Sequence, residues 1–298
     1  MARVMTAAWP VPELLLLGVA AIWGASYSAV KYATLHLPVL EFLSLRFALT
    51  LLLLLPALWP LLRPGGLKQV SVGALLGLNL LAIFLCETFG VTLTSAAHAA
   101  FLVSLSVPFT PLLQWWLLRQ PPSPATLWAT AASLLGAVLL AWQPGLAAFK
   151  LGMGELLMVA AALLRALMVC MTRRLNENQQ IPALTLTALQ AAMIALGASG
   201  LSWAATGSTT TPLPESSGFW WVMGFLVLCC TVFAFFAQNY AASRASPSRV
   251  SLLMASEPVF GALVAVLWLG EVLSPLGWLG GLLIVGAALF MLRPEPAR

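Results

Sequence analysis

Five ionisable side chains interrupt otherwise apolar stretches of this chain: Arg46, Glu87, His98, Arg165 and Glu257. Glu257 is followed at once by Pro258, in the stretch Met-Ala-Ser-Glu-Pro-Val-Phe-Gly that starts at Met254. Each type suits a definite task. A guanidinium matches a carboxylate with two parallel hydrogen bonds. A carboxylate holds an amine, serves as a fixed counter-charge, or carries a proton. A proline removes one backbone N–H and frees a carbonyl one turn back, which makes a polar niche and a hinge.

At the centre of a helix in lipid each such charge costs about 2.5–3.5 kcal/mol. Four of them unpaired would cost on the order of 10 kcal/mol, comparable with the stability of a whole protein. They must therefore pair or face water. Counting about 1.5 Å of rise per residue from the ends of the apolar runs sorts them by depth. Arg165 falls level with Glu257 in the inner half of the membrane, and Arg46 with Glu87 and His98 in the outer half. Trp23, Tyr27, Asn79, Phe101 and Gln190 complete the set of candidate substrate-binding or coupling residues. Aromatic faces among them can stack on a substrate's apolar part or its cation. Pro108 and Pro258 are the hinge candidates. Against this stands a plainer reading, in which the charges are structural pairs and the other residues pack helices.

The elements that must position these groups are long and apolar. Of the 298 residues, 61% are hydrophobic and 8% charged, whereas soluble domains carry about 25% charged residues. Ten apolar runs, roughly 12–34, 39–60, 70–92, 95–118, 125–143, 152–173, 182–205, 219–241, 248–270 and 275–292, recur along the chain. Each is long enough to cross about 30 Å of hydrocarbon. Backbone in lipid must satisfy its own hydrogen bonds, so the runs predict helices. They are too long, and lack the polar alternation, for a barrel. The expected fold is an all-α polytopic membrane protein. The first run outlasts a signal-peptide core, because it continues past Trp23 to Lys31, and it is read as a span. The longest connection, about 206–218, leaves no room for a soluble catalytic or nucleotide-binding domain.

The net charge of +5 is distributed as a topology signal rather than a nucleic-acid surface. With both termini on one side, that side holds Arg3, Arg63, Lys68, Arg119, Arg173, Arg174, Arg244, Arg249, Arg293 and Arg298. The opposite side holds Lys150 and, at a helix end, Lys31. The positive-inside rule then makes both termini cytoplasmic. Cys86, Cys170, Cys229 and Cys230 fall inside spans without metal-ligand spacing and read as small packing residues. No metal site and no cofactor are implied.

The chain also repeats itself. Superposing Pro108 on Pro258 brings Leu102 onto Leu252, Ser106 onto Ser256 and Gly136 onto Gly286. Near the starts of the halves, Glu13 meets Glu155 and Lys31 meets Arg173. The expected units are 1–147 and 148–298, five spans each. A unit with an odd number of spans, followed by its copy, lies upside down relative to it. Two inverted five-helix repeats, with a substrate site at their interface, are the expectation.

Ile-Trp-Gly-Ala-Ser-Tyr (22–27), Glu-Phe-Leu-Ser-Leu-Arg-Phe (41–47), Thr-Leu-Thr-Ser-Ala-Ala-His-Ala-Ala-Phe-Leu (92–102) and Ser-Glu-Pro-Val-Phe…Leu-Gly-Glu (256–271) follow one another in order. In this set the chain resembles the EamA family of the drug/metabolite transporter superfamily along essentially its whole length. The resemblance implies ten helices in two inverted repeats. It also implies export of small metabolites, often amino acids, across the bacterial inner membrane. The first half departs from the second, with Val107 where the second has Glu257 and Gln120–Pro121 where it has Gly270–Glu271. The Glu-Pro site therefore exists once.

A secondary transporter is the reading these features favour. Its expected cargo is an amino acid or related metabolite, exported across the bacterial cytoplasmic membrane, with protons as a candidate coupling ion. The lipid bilayer is its other partner, and nucleic acid is not one. Uptake and drug efflux by the same fold are the alternatives. A rival from another class, an intramembrane serine protease, rests only on Gly-Ala-Ser-Gly at 197–200 with His98 elsewhere. Without Asp, carboxylate clusters or a glycine-rich phosphate loop, two-metal catalysis and nucleotide-driven pumping are not expected.

Overall fold

The computed structural model describes residues 11–62, 66–94, 99, 102–141, 152–176, 181–207, 212–269 and 274–291. The expectations for His98 and Phe101 lie outside the described residues. Every regular element among those residues is helical. In chain order they are α1 (Val11–Thr34), α2 (Val39–Leu54) with a 3-10 extension (Leu55–Leu62), α3 (Gly66–Leu93), α4 (Ser106–Leu118) and α5 (Pro124–Ala141). Then follow α6 (Met153–Asn176), α7 (Ala183–Thr206) and α8 (Ser217–Val227), joined through a π turn (Leu228–Phe233) to α9 (Ala234–Ala242). The last three are α10 (Pro247–Met254), α11 (Glu257–Leu269) and α12 (Pro275–Met291).

Prolines punctuate the starts. Pro38 and Pro182 hold the cap positions of α2 and α7, and Pro124, Pro247 and Pro275 open α5, α10 and α12. The first turn of a helix has no partner for its N–H groups, so a residue without one costs nothing there. Two ends turn through left-handed backbone, at Gly207 after α7 and at Arg119 after α4.

Among the described residues, six helices are long and apolar enough to cross a membrane, and Pro124–Leu139 and Pro275–Phe290 are shorter apolar helices. Their outer faces carry large exposed apolar side chains, among them Leu52, Trp59, Trp116, Trp128, Leu196 and Leu282. This is a multi-pass membrane protein, with lipid as the solvent for those faces.

Two runs expected as single spans are broken. In 95–118 a turn at Ser104 and Leu105 precedes α4, and in 248–270 a turn at Ala255 and Ser256 separates α10 from α11. The cause is Pro108 and Pro258, which place a residue without an N–H where an unbroken helix needs one. Both prolines instead lie in the first turn of the new helix. Shorter bonds close the gaps: Val107 N–H donates to Ser104 O at 3.0 Å, and Ser256 N–H donates to Leu253 O at 3.2 Å.

Elements of the first half pack largely on elements of the second: α5 on α12, α2 on α7, α3 on α6, α4 on α6, and α1 on α9 and α11. The α5–α12 contact is backbone-close. A Cβ at Gly136 would lie 2.6 Å from Gly280 O. A central apolar cluster containing Trp23, Phe42, Phe47, Leu80, Phe219 and Phe235 ties α1, α2, α3, α8 and α9 together.

Candidate functional site

Glu257 is the first residue of α11, so the break at Ala255–Ser256 puts its carboxylate at a helix N-terminus, where the backbone dipole favours negative charge. Helix α1 reaches this turn through Gly24. A Cβ there would run into Glu257 O and lie 2.8 Å from Gly261 N. Glycine at 24 thus brings Trp23 and Tyr27 of α1 beside the acid.

Both oxygens of Glu257 take a donor. The Tyr27 hydroxyl donates to Oε1 at 2.5 Å, and Arg165 Nη1 donates to Oε2 at 3.1 Å. Arg165, from α6, also places Nε 2.5 Å from Glu87 Oε1 of α3. Its guanidinium lies over the Trp23 ring, 5.2 Å from the centroid. One cation is therefore held between two carboxylates and an aromatic face. Glu257 is only 3% exposed. Removing one member of a buried ion pair typically costs about 3–5 kcal/mol, because the survivor keeps its desolvation penalty. The cluster stands or falls together.

The second cation is held differently. Arg46 of α2 is 3% exposed. Its Nε donates to Thr231 Oγ1 at 2.9 Å, and the Phe47 and Phe84 rings lie 5.4 and 5.3 Å from its guanidinium carbon. Among the described residues it forms no ion pair. Cation–π contacts of this kind return about 0.5–2 kcal/mol, less than the ~2.5–3.5 kcal/mol that burying the charge costs. Thr231 is available because the chain takes a π turn there. Its hydroxyl donates to Leu226 O five residues back, while Cys230 O in the same π turn accepts the Trp23 indole N–H at 2.9 Å.

These groups enclose a cavity of about 90 Å³, lined by Trp23, Tyr27, Arg46, Glu87, Arg165 and Glu257 together with Ser26, Phe84, Ser106, Thr110, Phe235 and Ser251. All four charges face one space, and with both acids ionised they sum to zero.

Six of the residues expected from the sequence are thus brought together. The two expected layers meet: Glu87, expected level with Arg46, contacts Arg165 beside Glu257, while Arg46 donates to Thr231. Depth counted along an upright, unbroken helix fails here for two reasons. α11 restarts at Glu257. α3 has 28 residues, roughly 40 Å of helix, longer than about 30 Å of hydrocarbon, so depth counted from its end depends on how it tilts or projects. Asn79 and Gln190, expected among cavity residues, lie outside its lining. Asn79 Nδ2 donates to Leu164 O at 3.1 Å, and Gln190 Oε1 accepts from Asn239 Nδ2 at 2.8 Å, so both tie helices together. Ser199, the serine of the protease-like tetrapeptide, does not line the cavity. Pro108 and Pro258 sit at the two helix breaks. Thr231, Phe84 and Phe235 were not anticipated. A π turn leaves no mark in Cys-Cys-Thr-Val-Phe (229–233), so no sequence signal pointed to Thr231. No group of three metal-binding side chains occurs among the described residues.

Comparison with known proteins gives a consistent answer. The model of the EamA-like transporter family matches residues 11–142 and, separately, 152–293. Two proteins from Archaeoglobus fulgidus, each described as an uncharacterized transporter, are similar over 280 residues. One is 25% identical, over 92% of this chain and 83% of its own length; the other is 26% identical, over 92% and 94%. A crystal structure covering 94% of this chain and 95% of its own shares the fold, with a TM-score of 0.73 at 19% identity.

Proposed function

The chain belongs to the EamA-like transporter family, and on that premise we propose that it is a secondary transporter of a small metabolite. The cargo is an amino acid or a related zwitterion, exported across the cytoplasmic membrane of a bacterium. Ten spans form two inverted five-helix repeats, 1–147 and 148–298, with both termini cytoplasmic, and alternating access exposes the central cavity to each side in turn. The observation that carries this reading is the cavity itself, where Arg165 and Glu257 of the second half meet Tyr27, Arg46 and Glu87 of the first.

Two further facts support the repeat. The family model matches the halves separately. The packing is also reciprocal: α3 on α6 has its counterpart in α1 on α8 and α9, and α4 on α6 has its counterpart in α1 on α10 and α11. Inverted repeats that exchange contacts in this way place substrate between them. Size supports a metabolite over a drug, since pockets that hold drug-sized ligands measure about 300–1,000 Å³. Glu257, held by exchangeable hydrogen bonds, is the candidate proton carrier, and the prolines at the two breaks are the candidate hinges.

A counterflow screen of labelled metabolites on proteoliposomes tests the reading. Exchange of one or a few amino acids is the expected result. A protein that moves none of the metabolites, or only bulky hydrophobic drugs, contradicts it.

A further inference from the structure

The two cations in the cavity are not equivalent. Arg165 faces two carboxylates, at 2.5 and 3.1 Å, so its charge is already answered within the protein. Arg46 has none. Its Nε is fixed by Thr231, and the Phe47 and Phe84 rings, 4.8 Å apart between centroids, pack against the guanidinium from one side. Among the described residues no protein group accepts from its two terminal nitrogens, and the side chain lines the cavity. A guanidinium held at Nε and packed against two rings on one side is restrained from turning to a carboxylate elsewhere. Its remaining donors form the fork that suits a planar anion.

We propose that Arg46 is the anion pole of the binding site and receives the carboxylate of the transported solute. Arg165 is instead an internal counter-ion that stays with Glu87 and Glu257. The solute's amine then lies at the acidic side of the same cavity, near Glu257 and the Tyr27 hydroxyl. This inference rests on the transport reading above and deepens it. It divides the labour between two arginines that sequence alone leaves interchangeable. Thr231 is a positioning residue, which aims the fork by holding Nε.

The test compares amino acids with their carboxamides, which keep the amine and side chain and lose the carboxylate. Labelled L-amino acids are loaded in counterflow, and unlabelled amino acids, their carboxamides and their N-acetyl derivatives compete. Wild-type protein should prefer acid to amide by about tenfold or more, the usual strength of a charge-assisted contact. In Arg46→Gln the preference should collapse to within twofold. Arg46→Lys keeps the charge but not the fork, and it should retain part of the preference. Thr231→Val keeps the guanidinium and should weaken the preference severalfold, a result that does not depend on Arg46→Gln folding. An undiminished preference in Arg46→Gln or Thr231→Val overturns the proposal. So does a wild type that takes acid and amide equally. If solutes without a carboxylate are carried instead, transport itself stands and the assignment of Arg46 fails.

Discussion

Helices α4 and α11 begin with the same backbone device and hold opposite chemistry. Each break carries serine, one variable residue and proline: Ser106-Val107-Pro108 opens α4, and Ser256 closes the turn before Glu257-Pro258 opens α11. Val107 is 2% exposed and packs among Ala129, Leu252, Ala255 and Ala287. Glu257 is as deeply buried but takes donors from Tyr27 and Arg165. The proline sets where the helix breaks; the residue before it decides whether the break is a packing joint or a charged site. The joint occurs in both α4 and α11, and the acid in α11 alone.

Removing the partner that only the second break possesses should have the largest effect. Arg165→Gln leaves Glu87 and Glu257 facing each other without a cation and should cost about 3–5 kcal/mol, read as a fall in Tm of the purified protein. Arg165→Gln combined with Glu257→Gln should recover part of that loss. No recovery would mean that shape, not charge, distinguishes the second break. Val107→Glu turns the first break into a copy of the second without its donors. Thermal unfolding should show a loss of about 2.5–3.5 kcal/mol, and an unchanged Tm would mean that the two breaks have equivalent surroundings.

Gly24→Ala presses α1 against the carbonyl of Glu257 and should cost about 1–3 kcal/mol through overpacking. It should also slow transport by moving Trp23 and Tyr27, which a proteoliposome assay reads. The finest contrast is between Gly136 and Gly286, which the sequence superposition aligns. A Cβ at Gly136 meets Gly280 O, whereas one at Gly286 meets nothing within 4 Å. Alanine at 136 should lower Tm, and alanine at 286 should leave it within a degree or two, roughly. Equal effects would restore the symmetry that the structure denies.

Much of this was legible in the residues. The length and apolarity of the runs establish helices, since lipid allows little else. That Arg46, Glu87, Arg165 and Glu257 must pair or face water followed from the cost of charge in lipid, and all four line the cavity, as do Trp23 and Tyr27, singled out for their aromatic faces. Which charge faces which did not follow. Pairing depends on tilt and on neighbouring helices, so depth alone leaves the partner of Glu87 open, and α3 carries it to Arg165. Asn79 and Gln190 have the same chemistry as cavity residues, and only their partners, Leu164 O and Asn239, identify them as ties between helices. The π turn at Leu228–Phe233, which creates the Arg46 site through Thr231, has no periodicity to betray it.

The central claim is that solute crosses through the cavity around Glu257, and counterflow by Glu257→Gln protein tests it most directly. With the variant folded, as judged by Tm and elution as a single species, the account predicts that uptake of the wild-type solute falls by about tenfold or more, given loss of a charge-assisted contact. Uptake within twofold of wild type would contradict it.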